Sequence, residues 1–182
     1  MTRWKREELS IKTKREILFV NSRFGFIGVE YQGSYICRLW LPNSKKAISA
    51  AAVGAKPKIV VDSNQQELAR DIADYFEGKR VSFNKYKILM NQYPPFTQSV
   101  YRKLRSIEFG KTVTYKALAM MVGLDVKPVT IGHIMAQNKI PLIIPCHRVI
   151  RSDGAVGGFT AQSAFGTRLK KRMLQLEKSY LP

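Results

Sequence analysis

At 182 residues the chain is long enough to bury an ordinary core unaided, and its two cysteines, Cys37 and Cys146, exclude a disulfide framework and suit a reducing compartment. Thirty-one Lys and Arg against thirteen Asp and Glu give a formal charge of +18, which makes polyanions the natural partners, nucleic acid ahead of an anionic membrane surface. No apolar leader and no run of about 18 apolar residues is present, so a soluble, cytoplasmic protein without a membrane partner is expected.

In chain order, residues 1–16 mix charges of both signs and predict a loosely ordered or edge segment. Three runs rich in β-branched and aromatic residues follow, from Ile17, Phe24 and Tyr35, with turn signals at Asn21-Ser22 and Gln32-Gly33-Ser34. They predict an antiparallel meander, with Cys37 packed inside its third strand. Lys45 to Val53 reads as a short helix stopped by Gly54, and Lys58-Ile-Val-Val as a short strand. Asn64, with Glu67 as capping-box partner, opens a helix whose Leu68, Ile72 and Phe76 share one face before Gly78. Nothing in this half supplies a set of catalytic side chains, so it reads as scaffold.

Tyr93-Pro94-Pro95-Phe96 reads as a stiff linker, dividing the chain into 1–92, an α/β scaffold domain, and 93–182, the DNA-binding and reactive domain. Thr97 is expected to cap a helix with Val100, Leu104 and Ile107 inward, and Thr114 the next, which stops at Gly123. Pro128 suits the first turn of a third helix running to Asn138. Two short helices with a Gly-containing turn form a helix-turn-helix pattern, and the +18 charge turns that pattern toward DNA. Gly132 inside the second of them suggests close approach of another backbone. Ser163 is expected to cap a last helix with Leu169, Met173 and Leu176 inward and Lys170, Lys171 and Arg172 outward.

The chemistry concentrates at Ile144-Pro-Cys-His-Arg-Val-Ile. A thiolate is the reactive form of cysteine, and positive neighbours such as His147 and Arg148 lower a thiol pKa, which makes Cys146 the candidate nucleophile. Adjacent side chains rarely touch directly, so His147 is expected to reach the thiol through a turn or a bridging water. A carboxylate behind the imidazole would fix its tautomer, and Glu177, awkward for the dipole near a helix C-terminus, is the candidate. The Gly154, Gly157 and Gly158 loop could wall a pocket beside the nucleophile.

With Gly132-His-Ile-Met-Ala-Gln-Asn138 before it and Ser152-Asp-Gly-Ala-Val-Gly-Gly-Phe159 after it, this segment resembles the methylated-DNA protein-cysteine alkyltransferases over roughly Phe96 to Glu177. The resemblance implies an α+β fold: a small ribonuclease-H-like antiparallel sheet domain, then a mostly helical domain with a winged-helix-like helix-turn-helix. It implies a single-turnover protein that flips O6-alkylguanine, or O4-alkylthymine, out of double-stranded DNA and takes the alkyl group irreversibly. It implies Cys146 as acceptor, His147 as water-assisted base, Glu177 as its partner and Asn138 as a brace between recognition helix and active site.

Further roles are implied in the same way. Tyr115 would rotate the target phosphate and hydrogen-bond the base, the carbonyls of Cys146 and Val149 would receive the guanine amino group, and Thr160 stands where a serine contacts the O6 region. Thr97, Lys116, Thr130, Met135, Arg151 and Ser152 fall at or beside DNA-contacting positions. No cofactor is implied, and a monomer is expected. The chain departs from the family at Val129, where an arginine usually enters the minor groove, with Lys127 as a substitute in a shifted register; Phe159 and Ala161 replace the commoner tyrosine and glycine of the pocket loop. The alternative reading is a non-catalytic protein that recognises alkylated DNA and recruits other factors; a cysteine hydrolase is disfavoured by the adjacency of Cys146 and His147.

Overall fold

The computed structural model describes residues 15–57, 62–123, 126–159 and 164–179. Strands β1 (Arg15–Ser22), β2 (Gly25–Gln32) and β3 (Tyr35–Asn43) form the expected meander, so Arg15 and Glu16 belong to a strand rather than to a loose segment. The first turn falls at Arg23-Phe24, later than Asn21-Ser22, because Gly25 supplies the positive φ of +117° that the reversal needs. A short edge strand, β4 (Lys56–Pro57), runs parallel to β1 and gives the order β3-β2-β1-β4, so the sheet is mixed at one edge. The strand expected from Lys58 to Val61 lies outside the described residues.

Alternation along the strands gives the sheet two apolar faces. One face, with Ile17 and the partly buried Phe26 and Trp40, is covered by helix α1 (Lys45–Ala51) through Ile48 and Ala52. Close packing there depends on Gly28: a Cβ at this position would lie 2.5 Å from Ile48 Cγ2 and 3.1 Å from Ile17 Cδ1. The other face, with Leu18, Val20, Ile27 and Val29, packs toward helix α2 (Ser63–Phe76). Asp62, not Asn64, caps α2, and the reciprocal partner is Gln65, not Glu67: Asp62 accepts from the Gln65 amide at 2.8 Å while Gln65 accepts from the Asp62 amide at 3.1 Å. Leu68, Ile72 and Phe76 are buried as expected, and Tyr75 is buried with them.

Pro94-Pro95 starts a helix instead of forming an extended segment. Pro95 occupies the first turn of α3 (Pro95–Arg105), where a missing N–H costs nothing, and Pro94 is the N-cap. Thr97 therefore does not cap; it is buried inside the first turn. Buried residues from both sides of this point, from Leu18 to Met173, form one continuous cluster. Strand β3 is tied directly to the active-site side of the chain, since the Leu39 amide donates to the Lys139 carbonyl at 2.8 Å and the Lys139 amide donates to the Tyr93 hydroxyl at 3.2 Å.

Strand β5 (Val113–Thr114) leads into α4 (Tyr115–Val122), which Thr114 caps by accepting from the Ala117 amide at 3.0 Å, as expected. Helix α5 (Pro128–Ala136) completes the helix-turn-helix and is pinned to α3 by the Tyr101 hydroxyl, which donates to the Ile134 carbonyl at 2.8 Å. It ends before Asn138, whose side chain is used elsewhere. A short 3-10 turn (Cys146–Arg148) runs into β6 (Val149–Ile150), which pairs parallel with β5, and α6 (Ala164–Lys178) packs against that turn. The expected Ser163 cap lies outside the described residues. Cys37 is buried and donates to the Glu30 carbonyl at 3.4 Å; burial pushes its thiol up to about 12, in keeping with a packing role.

Gly28→Val is expected to destabilise the protein by about 1–3 kcal/mol through overpacking against Ile48. Urea unfolding of the variant, read as a lower midpoint at unchanged slope, checks this.

Candidate active site

The side chains around Cys146 are organised by a buried carboxylate. Glu177 enters from the last turn of α6 and is 1% exposed. Its Oε1 accepts from Tyr75 Oη at 2.9 Å and lies 2.7 Å from His147 Nε2; its Oε2 accepts from the Gly110 amide at 2.9 Å. Arg148 Nε donates to Oε2 at 3.0 Å and its Nη2 to Oε1 at 3.0 Å, while Nη1 donates to the Ile107 carbonyl at 2.6 Å. Burial alone would raise this carboxyl, but the hydrogen bonds and charges of His147 and Arg148 outweigh it and hold the group down at about 2. Arg148 is thus committed to Glu177, correcting its expected role as the charge that readies the thiol.

Because Nε2 of His147 faces the ionised Glu177, that nitrogen carries the proton and Nδ1 is the acceptor. Nδ1 is buried and has no hydrogen-bond partner among the described residues. Burial holds the imidazole pKa below the ordinary histidine value against the pull of Glu177, with Arg148 and Lys170 pushing the same way as burial. His147 is therefore neutral in the resting site and fit to receive a proton at Nδ1.

Cys146 sits in the 3-10 turn after Pro145, and Asn138 braces it from the end of α5. Asn138 Nδ2 donates to the Ile144 carbonyl at 2.9 Å and to Cys146 Sγ at 3.1 Å, while Oδ1 accepts from the Ile140 amide at 2.9 Å. The turn between them includes Leu142 at a positive φ of 74°, an uncommon conformation for leucine. Burial pushes the Cys146 thiol up to about 11, opposed by the Asn138 amide and the Lys170 ammonium. Lys170 departs from the expected outward basic face, which Lys171 and Arg172 keep. It is fully buried, donates to the Val149 carbonyl at 2.6 Å, and lies 5.7 Å from the Tyr115 ring centroid; burial lowers its pKa to about 8.

Cys146 opens onto a cleft of about 810 Å³ that the recognition helix and the glycine loop enclose. The predicted residues Tyr115, Lys116, Val129, Met135, Arg151, Ser152 and Phe159 line it with Cys146. Gly132 lines it too, and a Cβ there would meet nothing within 4 Å, so its expected close approach is not made by this chain's own atoms. Gly157 is tight instead: its Cβ would lie 3.3 Å from the Tyr115 hydroxyl, at a φ of +71°.

Thr130 is exposed on α5 but is not among the lining residues. Thr97 is buried in the first turn of α3. The Val149 carbonyl already accepts from Lys170, so it has one lone pair left for a base. Thr160 and Ala161 lie outside the described residues.

Sequence reasoning missed Tyr75, Lys170 and the true partner of Arg148. A signal for Lys170 was present: it precedes Glu177 by seven residues, two helical turns, so a face that turns Glu177 inward turns Lys170 inward as well. Tyr75 follows Leu68 by the same interval, but nothing local marks a tyrosine on a core face as a polar contact.

Glu177 sets an acid limit to stability. Its folded pKa lies below the unfolded value of 4.5, so its contribution is complete above that pH and is lost as pH falls toward about 2. The loss is expected to be on the order of 3 kcal/mol, measured as the fall of the urea midpoint across this range. Glu177→Gln should flatten that limb and cost about 3–5 kcal/mol at neutral pH, since it strands the buried Arg148 guanidinium.

A family model described as "6-O-methylguanine DNA methyltransferase, DNA binding domain" matches residues 95–179. A curated methylated-DNA–protein-cysteine methyltransferase of Metallosphaera sedula is 35% identical over 127 residues, 70% of this chain and 76% of the relative. Among solved structures, an O6-methylguanine DNA methyltransferase of Methanococcus jannaschii aligns with a TM-score of 0.65 at 27% identity, covering 91% of this chain and 95% of the other. The O6-methylguanine methyltransferase of Mycobacterium tuberculosis shares the fold, with a TM-score of 0.74 at 24% identity over 92% of this chain and 95% of the other. With kinship of this extent and a braced cysteine backed by a histidine–carboxylate pair, the chain belongs to the methylated-DNA–protein-cysteine methyltransferases, enzymes that repair DNA by alkyl transfer.

Proposed function

We propose that this chain removes the alkyl group from O6-alkylguanine in double-stranded DNA, with Cys146 as the irreversible, single-use acceptor. The observation that carries this is the position of Cys146: its thiol lies on a cleft of about 810 Å³, with Asn138 on its sulfur and the adjacent His147 held by Glu177. The reactive atom of the guanine is hidden in a duplex, so the base must leave the stack to reach the sulfur. Once it does, the thiol proton passes through a water to His147 Nδ1, and the imidazolium is stabilised by Glu177. The Sγ–carbon bond forms as the carbon–O6 bond breaks, and the electron pair stays on the guanine, which takes up a proton. No cofactor enters, because the protein itself is consumed, and the unit that acts is a monomer in the cytoplasm.

Binding uses the rim of the cleft. Lys116, Arg151 and Ser152 are exposed there and suit backbone phosphates, while Tyr115 borders the path of the base. Val129, 59% exposed at the second residue of α5, stands where the family inserts an arginine, and an apolar wedge fills a vacated stack without the arginine's hydrogen bonds. A binding protein without transfer is disfavoured, because the relatives are named methyltransferases and this chain carries a cysteine at the cleft.

Incubation with a duplex containing O6-methylguanine should add one methyl mass to the peptide bearing Cys146, one equivalent per protein, and Cys146→Ala should abolish the adduct. Repeated turnover, or folded protein that stays unmodified, would overturn the reading. Val129→Arg should raise the single-turnover rate, up to about tenfold, and Val129→Gly should lower it. Rapid-quench kinetics paired with 2-aminopurine fluorescence separates an effect on flipping from one on chemistry.

A further inference from the structure

The Tyr75 hydroxyl is a buried polar group that the transfer reaction, as described, does not use. It comes from α2, in the half of the chain that the sequence assigns to scaffold, and reaches across to residues more than 70 positions away. Tyr75 is fully buried, and its ring is gripped edge-on by Phe76, Phe109 and His147, with centroids 5.2, 6.0 and 6.2 Å away. The hydroxyl therefore cannot swing to another partner.

Its one proton has one destination. Glu177 is ionised and can only accept, so Tyr75 Oη donates to Oε1 at 2.9 Å. The phenol oxygen then presents lone pairs to His147 Nε2 at 3.2 Å, while Glu177 Oε1 presents its own at 2.7 Å. A bare Nε2 would meet two acceptors and no donor. Nε2–H is shared between them, and the imidazole is held at two points rather than one, so rotation about its attachment is blocked as well as its tautomer fixed.

We propose that Tyr75 is a positioning residue for alkyl transfer, which holds the His147 ring with Nδ1 unprotonated and limits how strongly Glu177 draws on that ring. The inference rests on the reading of Cys146 as acceptor and His147 as its base. It makes the N-terminal half a contributor to the chemistry and not only a support. The groups that bear on His147 are Glu177 and Lys170 from α6, Arg148 from its own turn, Tyr75 from α2 and the adjacent Cys146.

The sign of the effect follows. Removing the phenol donor leaves Glu177 with one hydrogen bond fewer, its charge falls more fully on His147, and the imidazole becomes easier to protonate. A protonated His147 cannot accept from the thiol, so the acid limb of the rate profile moves to higher pH.

The test is Tyr75→Phe in the full chain, assayed as single-turnover methyl transfer from O6-methylguanine duplex between pH 4.5 and 8, with ¹⁵N spectra of the two histidines. The acid limb should move up by about one pH unit and the neutral-pH rate should fall about tenfold. The His147 nitrogens should reach their imidazolium positions at a higher pH than in the unmodified protein. Replacement of Tyr75 by 3-fluorotyrosine, a stronger donor of the same shape, should move the limb the opposite way, and it serves where the phenylalanine variant does not fold. An unchanged acid limb and unchanged ¹⁵N shifts in a folded variant would overturn the proposal, even if the rate fell. Absence of any Cys146 adduct in the unmodified protein would sink the functional reading instead, while the ¹⁵N shifts would still report whether Tyr75 holds the ring.

Discussion

Glu177 is the interaction on which the rest of the site depends. A carboxylate that is 1% exposed would be untenable alone, and here it collects donors from α2, the segment after α3 and, through both His147 and Arg148, the 3-10 turn. Each donor gives the network a second function. Arg148 anchors the turn that carries Cys146, the Gly110 amide fixes the approach to β5, and His147 is held in one tautomer. Chain segments far apart in sequence are thereby held in register by one side chain, around a three-residue turn.

Much of this was legible in the sequence, and what was not has physical reasons. The meander was visible because strand alternation and turn glycines are local. The helix-turn-helix was visible because Thr114, Gly123 and Pro128 mark its ends. Cys146, His147 and Glu177 were legible from residue type and position and Asn138 through family resemblance; the structure puts Asn138 on the Cys146 sulfur and Glu177 on the adjacent His147. Thr97 was misread as a cap because Pro95 and a threonine two residues on both fit a helix start, and only packing decides between them. Lys170 was misread because a lysine is rarely buried, so composition overruled a helical phase that pointed the other way. Tyr75 could not be read at all: its significance lies in where its hydroxyl arrives, across a tertiary contact.

Lys170 explains how the far end of the cleft is kept in place. Its ammonium is 2.6 Å from the Val149 carbonyl and 3.4 Å from that of Gly158, so it ties the strand after the nucleophile to the glycine loop. The same charge faces the sulfur and favours its ionised form. Burial lowers the lysine to about 8, and an ionised cysteine nearby raises it, so the two groups stabilise each other's charge. A neutral methionine of similar length could preserve the packing but would supply neither the clamp nor the field.

The resting thiol, held up at about 11, is almost wholly protonated near neutral pH. For an acceptor that is used once, this is a sensible state. A free thiolate on an open cleft would react with small electrophiles and oxidants, and each such event would consume the protein without repairing DNA. In the proposed reaction, a proton kept on sulfur until a base is docked, with a neutral imidazole beside it and a buried carboxylate behind, makes ionisation coincide with use. On that proposal a docked base would exclude bulk water and place the alkyl carbon against the sulfur, so that the thiolate forms where it can be spent on the lesion. Selectivity then arises from the order of events, delivery before activation. The two proposed duties fall on different parts of the fold: delivery on the exposed rim of α5 and the loop, activation on the buried network around Glu177.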